Sequence, residues 1–246
     1  MKSIISYRPS PLLSVIYGLG FALSLSLLAA LGYITLSYPV KKEYIGPYLL
    51  FILCLFFGYL FFRHLRKPVF HLSGNEMSIG SEVILLSSIE DVFLFPAGKN
   101  FESGRNNLAF RTGTDRWYTI SYDYSGNTDF FLENYLYYRA PFLLQQLEQS
   151  KTVFFYYLTG KDEKQPATIP NFTVKDLTAN IISMTAKNIE INHHSYTYED
   201  LKPLYRNREY FEIKTMEGEI ILNFRYRDLL SFDVFMEVYN EKVLRS

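Results

Sequence analysis

The chain has 246 residues, with 25 Lys+Arg set against 25 Asp+Glu and a single cysteine. Charge is unevenly divided: residues 1–67 hold seven Lys/Arg and one acid, net +6, which leaves 18 bases and 24 acids, net −6, for residues 68–246. The acidic remainder argues against nonspecific nucleic-acid binding, which relies on neutralising phosphates. A lone cysteine excludes an intramolecular disulfide and a CxxC metal or redox site, in keeping with a reducing compartment.

Between Pro9 and Val40 there is no charged residue, and the apolar run Leu12 to Tyr38 is 27 residues long. A second charge-free run, Tyr44 to Phe62, follows the short turn Pro39-Val40-Lys41-Lys42-Glu43. At 1.5 Å per residue these runs make roughly 40 Å and 28 Å of helix, against about 30 Å of bilayer hydrocarbon. They predict a transmembrane hairpin over residues 1–67. A cleaved signal peptide would use Lys2, Arg8 and the small residues Ala30-Leu31-Gly32, but the run is far longer than an ordinary signal core. Lys2 and Arg8 precede the first span, and Arg63, Arg66 and Lys67 follow the second; Lys41 and Lys42 lie in the turn. This bias places both termini in the cytoplasm of a two-span inner-membrane protein.

Small residues recur every four positions on the first span: Ser14, Gly18, Ala22, Ser26 and Ala30. The second span offers Cys54 and Gly58. Such a stripe lets a neighbouring backbone approach closely. Packing within the hairpin is the plainer expectation, and self-association or docking onto another membrane protein the sharper one. Neither span carries Asp, Glu, Lys or Arg before Arg63, so no ion or proton pathway is indicated.

The soluble part contains two related halves. At a fixed offset of 112, Leu72–Ile79 lies over Met184–Ile191, Ile84 over Tyr196, Ile89 over Leu201 and Val92 over Leu204. The offset then becomes 103, setting Leu108, Phe110 and Thr112 over Phe211, Ile213 and Thr215, and Thr128, Phe131 and Tyr135 over Ser231, Val234 and Val238. Duplication of one supersecondary unit accounts for the pattern. Each half reads as three short strands (Val69–Leu72, Met77–Gly80, Val83–Leu86; Ile181–Thr185, Ile189–Asn192, Ser195–Tyr198). A fourth strand follows (Val92–Phe95; Leu204–Arg206), then a hairpin (Leu108–Thr112 with Trp117–Ser121; Tyr210–Thr215 with Ile220–Phe224), by period-two alternation and turn chemistry. Each half ends in a helix capped by Thr128 or Ser231, with Asp129 or Asp233 suited to the dipole. In the last helix Phe232, Phe235, Tyr239 and Val243 fall at near-helical spacing. Pro141 is expected to kink the first of these helices or start a new segment. Val153–Leu158 can add a strand, and Gly160 to Ile169 reads as a polar linker.

This order of meandering strands closed by one helix, with an apolar residue beside acids at Ser88-Ile89-Glu90-Asp91 and Glu199-Asp200-Leu201, resembles a pleckstrin-homology-like (PH-like) barrel. Its placement behind a membrane hairpin resembles bacterial membrane proteins with PH-like domains. Where that family often has a Trp before the apolar position, Leu86 and Tyr198 are nearest here. The expected fold class is α+β: a transmembrane hairpin (1–67), a first PH-like domain (68–150), a linker with a strand (151–177) and a second PH-like domain (178–246).

Candidate chemistry is sparse. His193-His194 are adjacent, and neighbours on a strand point to opposite faces, so both do not easily ligate one metal. His64 is expected at the bilayer interface and His71 on a strand face. Some PH domains bind phosphoinositides through basic residues in the first strand loop. The matching loops, Gly74-Asn75 and Ala186-Lys187-Asn188, hold one lysine, so that binding is not carried over. Arg206, Arg208, Arg225 and Arg227 form the densest basic set, either solvated and paired with Glu209, Glu219 or Asp228, or free to meet an anionic partner. No GxGxxG after a strand, P-loop, HExxH or GxSxG occurs.

The expectation is a non-catalytic, cofactor-free module at the inner membrane, recognising protein or lipid. A protein partner is expected beside the bilayer, and a homo-oligomer can form through the first span. The alternatives are a membrane-anchored immunity protein against a toxin, or an accessory subunit of a membrane enzyme or transport complex.

Overall fold

Two uninterrupted apolar runs give two long helices. The computed structural model describes residues 4–37, 45–95, 107–113, 117–121, 123–157, 181–205 and 210–246, with α1 at Pro11–Ser37 and α2 at Ile45–Leu65. The expected turn between the spans and the polar linker after Gly160 lie outside these residues. Both helices are long and apolar enough to cross a membrane. Only 6% of the apolar window of α1 and 17% of that of α2 is buried, whereas the core helix of a soluble protein is mostly buried. Leu19, Leu23, Ile52, Leu55 and Phe56 are all exposed.

The chain divides into two compact units, one of Ser6–Phe70 with Asp123–Gly126, the other chiefly His71–Tyr122 and Asn127–Ser246. In the first, α1 and α2 pack through glycines facing rings. A Cβ on Gly20 would lie 2.8 Å from the Phe57 ring, one on Gly58 2.9 Å from Phe21, and one on Gly18 3.1 Å from Phe61. On α2, Cys54, Gly58 and His64 are buried along the same seam; on α1, Ser24 is buried and its hydroxyl donates to the Gly20 carbonyl at 2.8 Å. The four-residue stripe does not stay on this face: Ala22, Ser26 and Ala30 are exposed, while Ser14 is half-buried. The reason is helical phase. Each four-residue step advances about 400°, so the stripe drifts about 40° per step and turns away from α2.

An element not expected from sequence is a strand before the first helix. β1 (Ile4–Pro9) pairs with β8 (Tyr124–Ser125), Arg8 opposite Ser125 and Pro9 opposite Tyr124. The Ser10 N–H donates to the Asp123 carbonyl at 2.7 Å. Gly126 takes φ 134°, and a Cβ there would strike the buried Tyr7 ring, so glycine is required twice over.

The other unit is α+β, and the strand pairings among its described residues are antiparallel. Its first half runs β2 (Phe70–Ser73), β3 (Glu76–Ile79), β4 (Glu82–Leu85), a 3-10 turn (Leu86–Ser88), β5 (Ile89–Phe95), β6 (Asn107–Thr112), β7 (Trp117–Ile120) and α3 (Thr128–Glu148). Its second runs β9 (Val153–Tyr156), β10 (Ile181–Met184), β11 (Asn188–Ile191), β12 (His194–Thr197), a 3-10 turn (Tyr198–Asp200), β13 (Tyr210–Lys214), β14 (Ile220–Arg225) and α4 (Phe232–Arg245). Neighbour orders are β4-β3-β2 and β5-β6-β7 in the first, β12-β11-β10-β9 and β13-β14 in the second.

The pairing repeats at the offsets read from sequence. Glu76–Ile79 against Leu85–Glu82 recurs 112 residues on as Asn188–Ile191 against Thr197–His194. Ile89 opposite Thr112 recurs as Leu201 opposite Thr215. Phe131 and Tyr135 of α3 and Val234 and Val238 of α4 are all buried. Aromatic rings fill both cores: Phe110 stacks on Tyr118 with centroids 5.3 Å apart, and Phe211 meets Phe232 at 4.2 Å.

Three local expectations are corrected, at Leu204, Thr128 and Ser231. Leu204 and Tyr205 are not in a strand, because the Leu204 backbone is held by a side chain: its N–H donates to Asn240 Oδ1 at 2.7 Å and its carbonyl accepts from Asn240 Nδ2 at 2.9 Å. α3 is capped by Asn127, whose Oδ1 accepts from the Asp129 N–H at 2.8 Å, not by Thr128. α3 also runs on through Pro141 with no new segment. Ser231 does precede α4, but its hydroxyl makes no cap bond.

Candidate functional site

The two halves of the strand-rich unit meet at Ser231, where the chain turns into α4. Ser231 sits at φ 53°, ψ 37°, a left-handed conformation that costs a non-glycine residue roughly 1–2 kcal/mol. Contacts with the first half hold it there. Its N–H donates to the Val92 carbonyl at 2.7 Å, and its hydroxyl accepts from the Val92 N–H at 2.9 Å. The same hydroxyl lies 2.8 Å from the Tyr135 hydroxyl of α3. Within the second half, the Leu230 N–H donates to the Tyr156 carbonyl at 2.9 Å, and the Tyr157 hydroxyl to Asn192 Oδ1 at 2.6 Å. Burial pushes the Tyr135 hydroxyl up to about 12, with Arg139 and Ser231 opposing the shift.

Beside this seam Asp91 and Arg111 form an ion pair, both nearly inaccessible. Arg111 Nε and Nη2 donate to Asp91 Oδ2 at 2.6 and 2.5 Å. Burial raises the Asp91 carboxyl above its ordinary range, and the Arg111 guanidinium opposes that shift. Trp117 and Tyr156 each place a ring 5.6 Å from the Arg111 guanidinium carbon, so the cation is enclosed by π faces from both halves. A shallow depression lies against Val92, Leu132, Ser231 and Phe232. Its polar groups satisfy one another, the Tyr226 hydroxyl donating to Asp233 Oδ2 at 2.8 Å. The arrangement can hold the two halves of this unit together.

Of the four candidate arginines, only Arg225 has a described side chain. Arg206 and Arg208 lie outside the described residues, as does the Arg227 side chain. Arg225 places its guanidinium 5.7 Å over the Tyr210 ring, and its N–H donates to Asp228 Oδ2 at 3.2 Å. His193 is in a turn at φ 67° and exposed, while His194 opens β12 opposite Ile191; they do not converge. Among the described residues no group of three or more His, Cys, Asp or Glu could hold a metal ion.

Sequence reasoning missed a cluster at the base of the hairpin. His64 is 2% exposed, packed inside the hairpin unit. Its Nε2 lies 3.1 Å from the Ser10 carbonyl, its Nδ1 3.8 Å from Asp123 Oδ2, and its ring edge-on to Tyr17 at 5.7 Å. The Lys67 ammonium pairs with the Asp123 carboxylate and lies 5.7 Å over Tyr124. No local signal foretells this, since Asp123 is 56 residues from Lys67. Comparison with protein-family models, curated proteins and solved structures returns no match to this chain.

Proposed function

We propose that this is a membrane-anchored, non-catalytic binding protein: a two-span hairpin in the inner membrane of a bacterium, with both termini and a fused pair of PH-like half-barrels in the cytoplasm. The observation that carries the anchor is the apolar side chains α1 and α2 leave uncovered, Leu19 at 65% and Leu23 at 64% among them. In water each such leucine forgoes roughly 1.5–3 kcal/mol of burial, whereas lipid supplies it. The common side for both helix bases is supported within the hairpin unit: Ser10 ahead of α1 and Lys67 after α2 both bind Asp123. The basic residues at those ends favour the cytoplasmic side.

The recognition role rests on the strand-rich unit. Strand order and closing helices agree with the PH-like resemblance, and Ser231, Tyr135 and Val92 lock the halves into one rigid platform. Tethering raises the effective concentration of such a platform for partners at the same surface. The test is membrane fractionation followed by in-cell crosslinking. Extraction only by detergent, with a protein crosslinked to residues 71–246, supports the reading. Recovery in the aqueous fraction, or a detergent-extracted chain that crosslinks to nothing, defeats it. A crosslinked toxin would favour protection over scaffolding.

A further inference from the structure

Residues 1–67 carry a net +6 in a chain whose net charge is zero, and the structure sorts that charge by use. Lys67 is turned inward and engaged by Asp123 and the Tyr124 ring. Arg8, Arg63 and Arg66 are exposed, and none of the three has an ion pair with a carboxylate among the described residues. They occupy one end of the hairpin. The bond between His64 and the Ser10 carbonyl ties the start of α1 to the last turn of α2, which brings Arg8 on β1 and Arg63 on α2 to the same end. Arg63 lies 5.9 Å over the Tyr59 ring, which keeps it beside the apolar surface of α2. Exposed guanidiniums at the foot of lipid-length helices sit at the depth of phosphate headgroups, and guanidinium matches phosphate with paired donors.

We infer that Arg8, Arg63 and Arg66 form a seat for anionic phospholipid headgroups at the base of the hairpin, a site that rests on the membrane reading above. Lys67 serves the fold, and the three arginines serve the lipid. Each basic residue close to an anionic leaflet strengthens binding by about fivefold, so the chain selects anionic over zwitterionic lipid.

The test uses the full chain purified in detergent and mixed with equal amounts of phosphatidylglycerol and phosphatidylcholine, with retained lipids counted by native mass spectrometry. Phosphatidylglycerol is expected to be retained in excess of about fivefold. R8Q/R63Q/R66Q is expected to fall to parity, with a circular dichroism spectrum like that of the parent, and R225Q in β14 to keep the preference. Equal retention of the two lipids by the parent, or an undiminished preference in the triple variant, overturns the seat. Displacement of the lipid by millimolar inorganic phosphate overturns it too, since the ligand would then be free phosphate. If the triple variant misfolds, single R66Q decides: a reduced preference supports the seat and an unchanged one removes it. A chain that needs no detergent defeats the membrane reading instead, which separates the two failures.

Discussion

The first half of the strand-rich unit and the second follow one plan with different materials. In the first, β5 runs seven residues alongside β6. In the second, pairing at the matching place stops after Leu201 opposite Thr215, and the side-chain amide of Asn240 takes over the backbone of Leu204. At the position 103 residues before Asn240, Tyr137 is 71% exposed. The first half buries Arg111 against Asp91, whereas the matching Lys214 sits at the surface, 2.5 Å from Glu212 and more than a third exposed. Thr128 opens α3 behind an ordinary Asn127 cap, while its counterpart Ser231 gives up capping to reach across the seam. A repeated plan fixes where strands pair, and single polar side chains decide how each copy is closed.

The largest expected effect separates Arg111 from Lys214. Arg111→Ala strands the Asp91 carboxylate in the interior and is expected to cost about 3–5 kcal/mol. Lys214→Ala removes an exposed pair and is expected to cost less than about 1 kcal/mol. Denaturant titration of the detergent-solubilised chain, followed by near-ultraviolet circular dichroism, measures both. Equal losses would mean that burial does not distinguish the halves. Asp91→Leu with Arg111→Met is expected to recover most of the loss, because a packed apolar pair needs no desolvation.

Asn240→Leu comes next. It leaves the Leu204 N–H and carbonyl without the amide, at about 1–3 kcal/mol for each group left unsatisfied in the interior. Tyr137→Ala, at the matching place, is expected to change stability by less than about 0.5 kcal/mol. Hydrogen exchange at the Leu204 amide gives a local reading, with faster exchange expected in N240L alone.

Ser231→Ala tests the seam. It keeps the left-handed strain and removes the acceptor for the Val92 N–H, an expected loss of about 1–3 kcal/mol. Ser231→Gly loses the same bonds but relieves the backbone, so it is expected to be the milder of the two. If glycine proves the worse, the backbone at 231 is not strained; if alanine costs nothing, the hydroxyl is not what holds the halves.

These contrasts also mark how far the chain could be read beforehand. Period-two alternation at Met77/Ile79 and Ile189/Ile191 placed β3 and β11, and the two offsets placed their partners, because such pairing is local. The N-terminal β1 was hidden: Ile4–Pro9 is short, and its partner Tyr124–Ser125 lies more than a hundred residues away. That Leu204 and Tyr205 form no strand was equally hidden, since the Leu204 backbone is held by one asparagine 36 residues downstream. The seam at Ser231 looked like a helix cap because serine suits both roles, and only the tertiary partner chooses. The small-residue stripe was legible only in part: Gly18 meets the Phe61 ring of α2, whereas spacing of four carries Ala22, Ser26 and Ala30 around the helix to exposed positions.

The smallest effect concerns alkaline stability and both halves together. Burial raises the hydroxyls of Tyr135 in the first half and of Tyr198 and Tyr239 in the second, Tyr135 up to about 12 and the others further. A folded value above the unfolded value of about 10 means that the folded chain keeps protons the unfolded chain has released. The contribution is therefore complete below pH 10 and is lost as pH rises from 10 through 12 and beyond. Denaturation midpoints of the full chain are expected to be flat from pH 8 to 9.5 and to fall above that. Absorbance at 295 nm should show part of the 21 tyrosines ionising only as the structure melts. Tyr135→Phe is expected to flatten the fall slightly, since Tyr198 and Tyr239 still contribute. A full tyrosine titration with the fold intact at pH 11 would show that these hydroxyls reach water, and the closed cores of both halves would have to be redrawn.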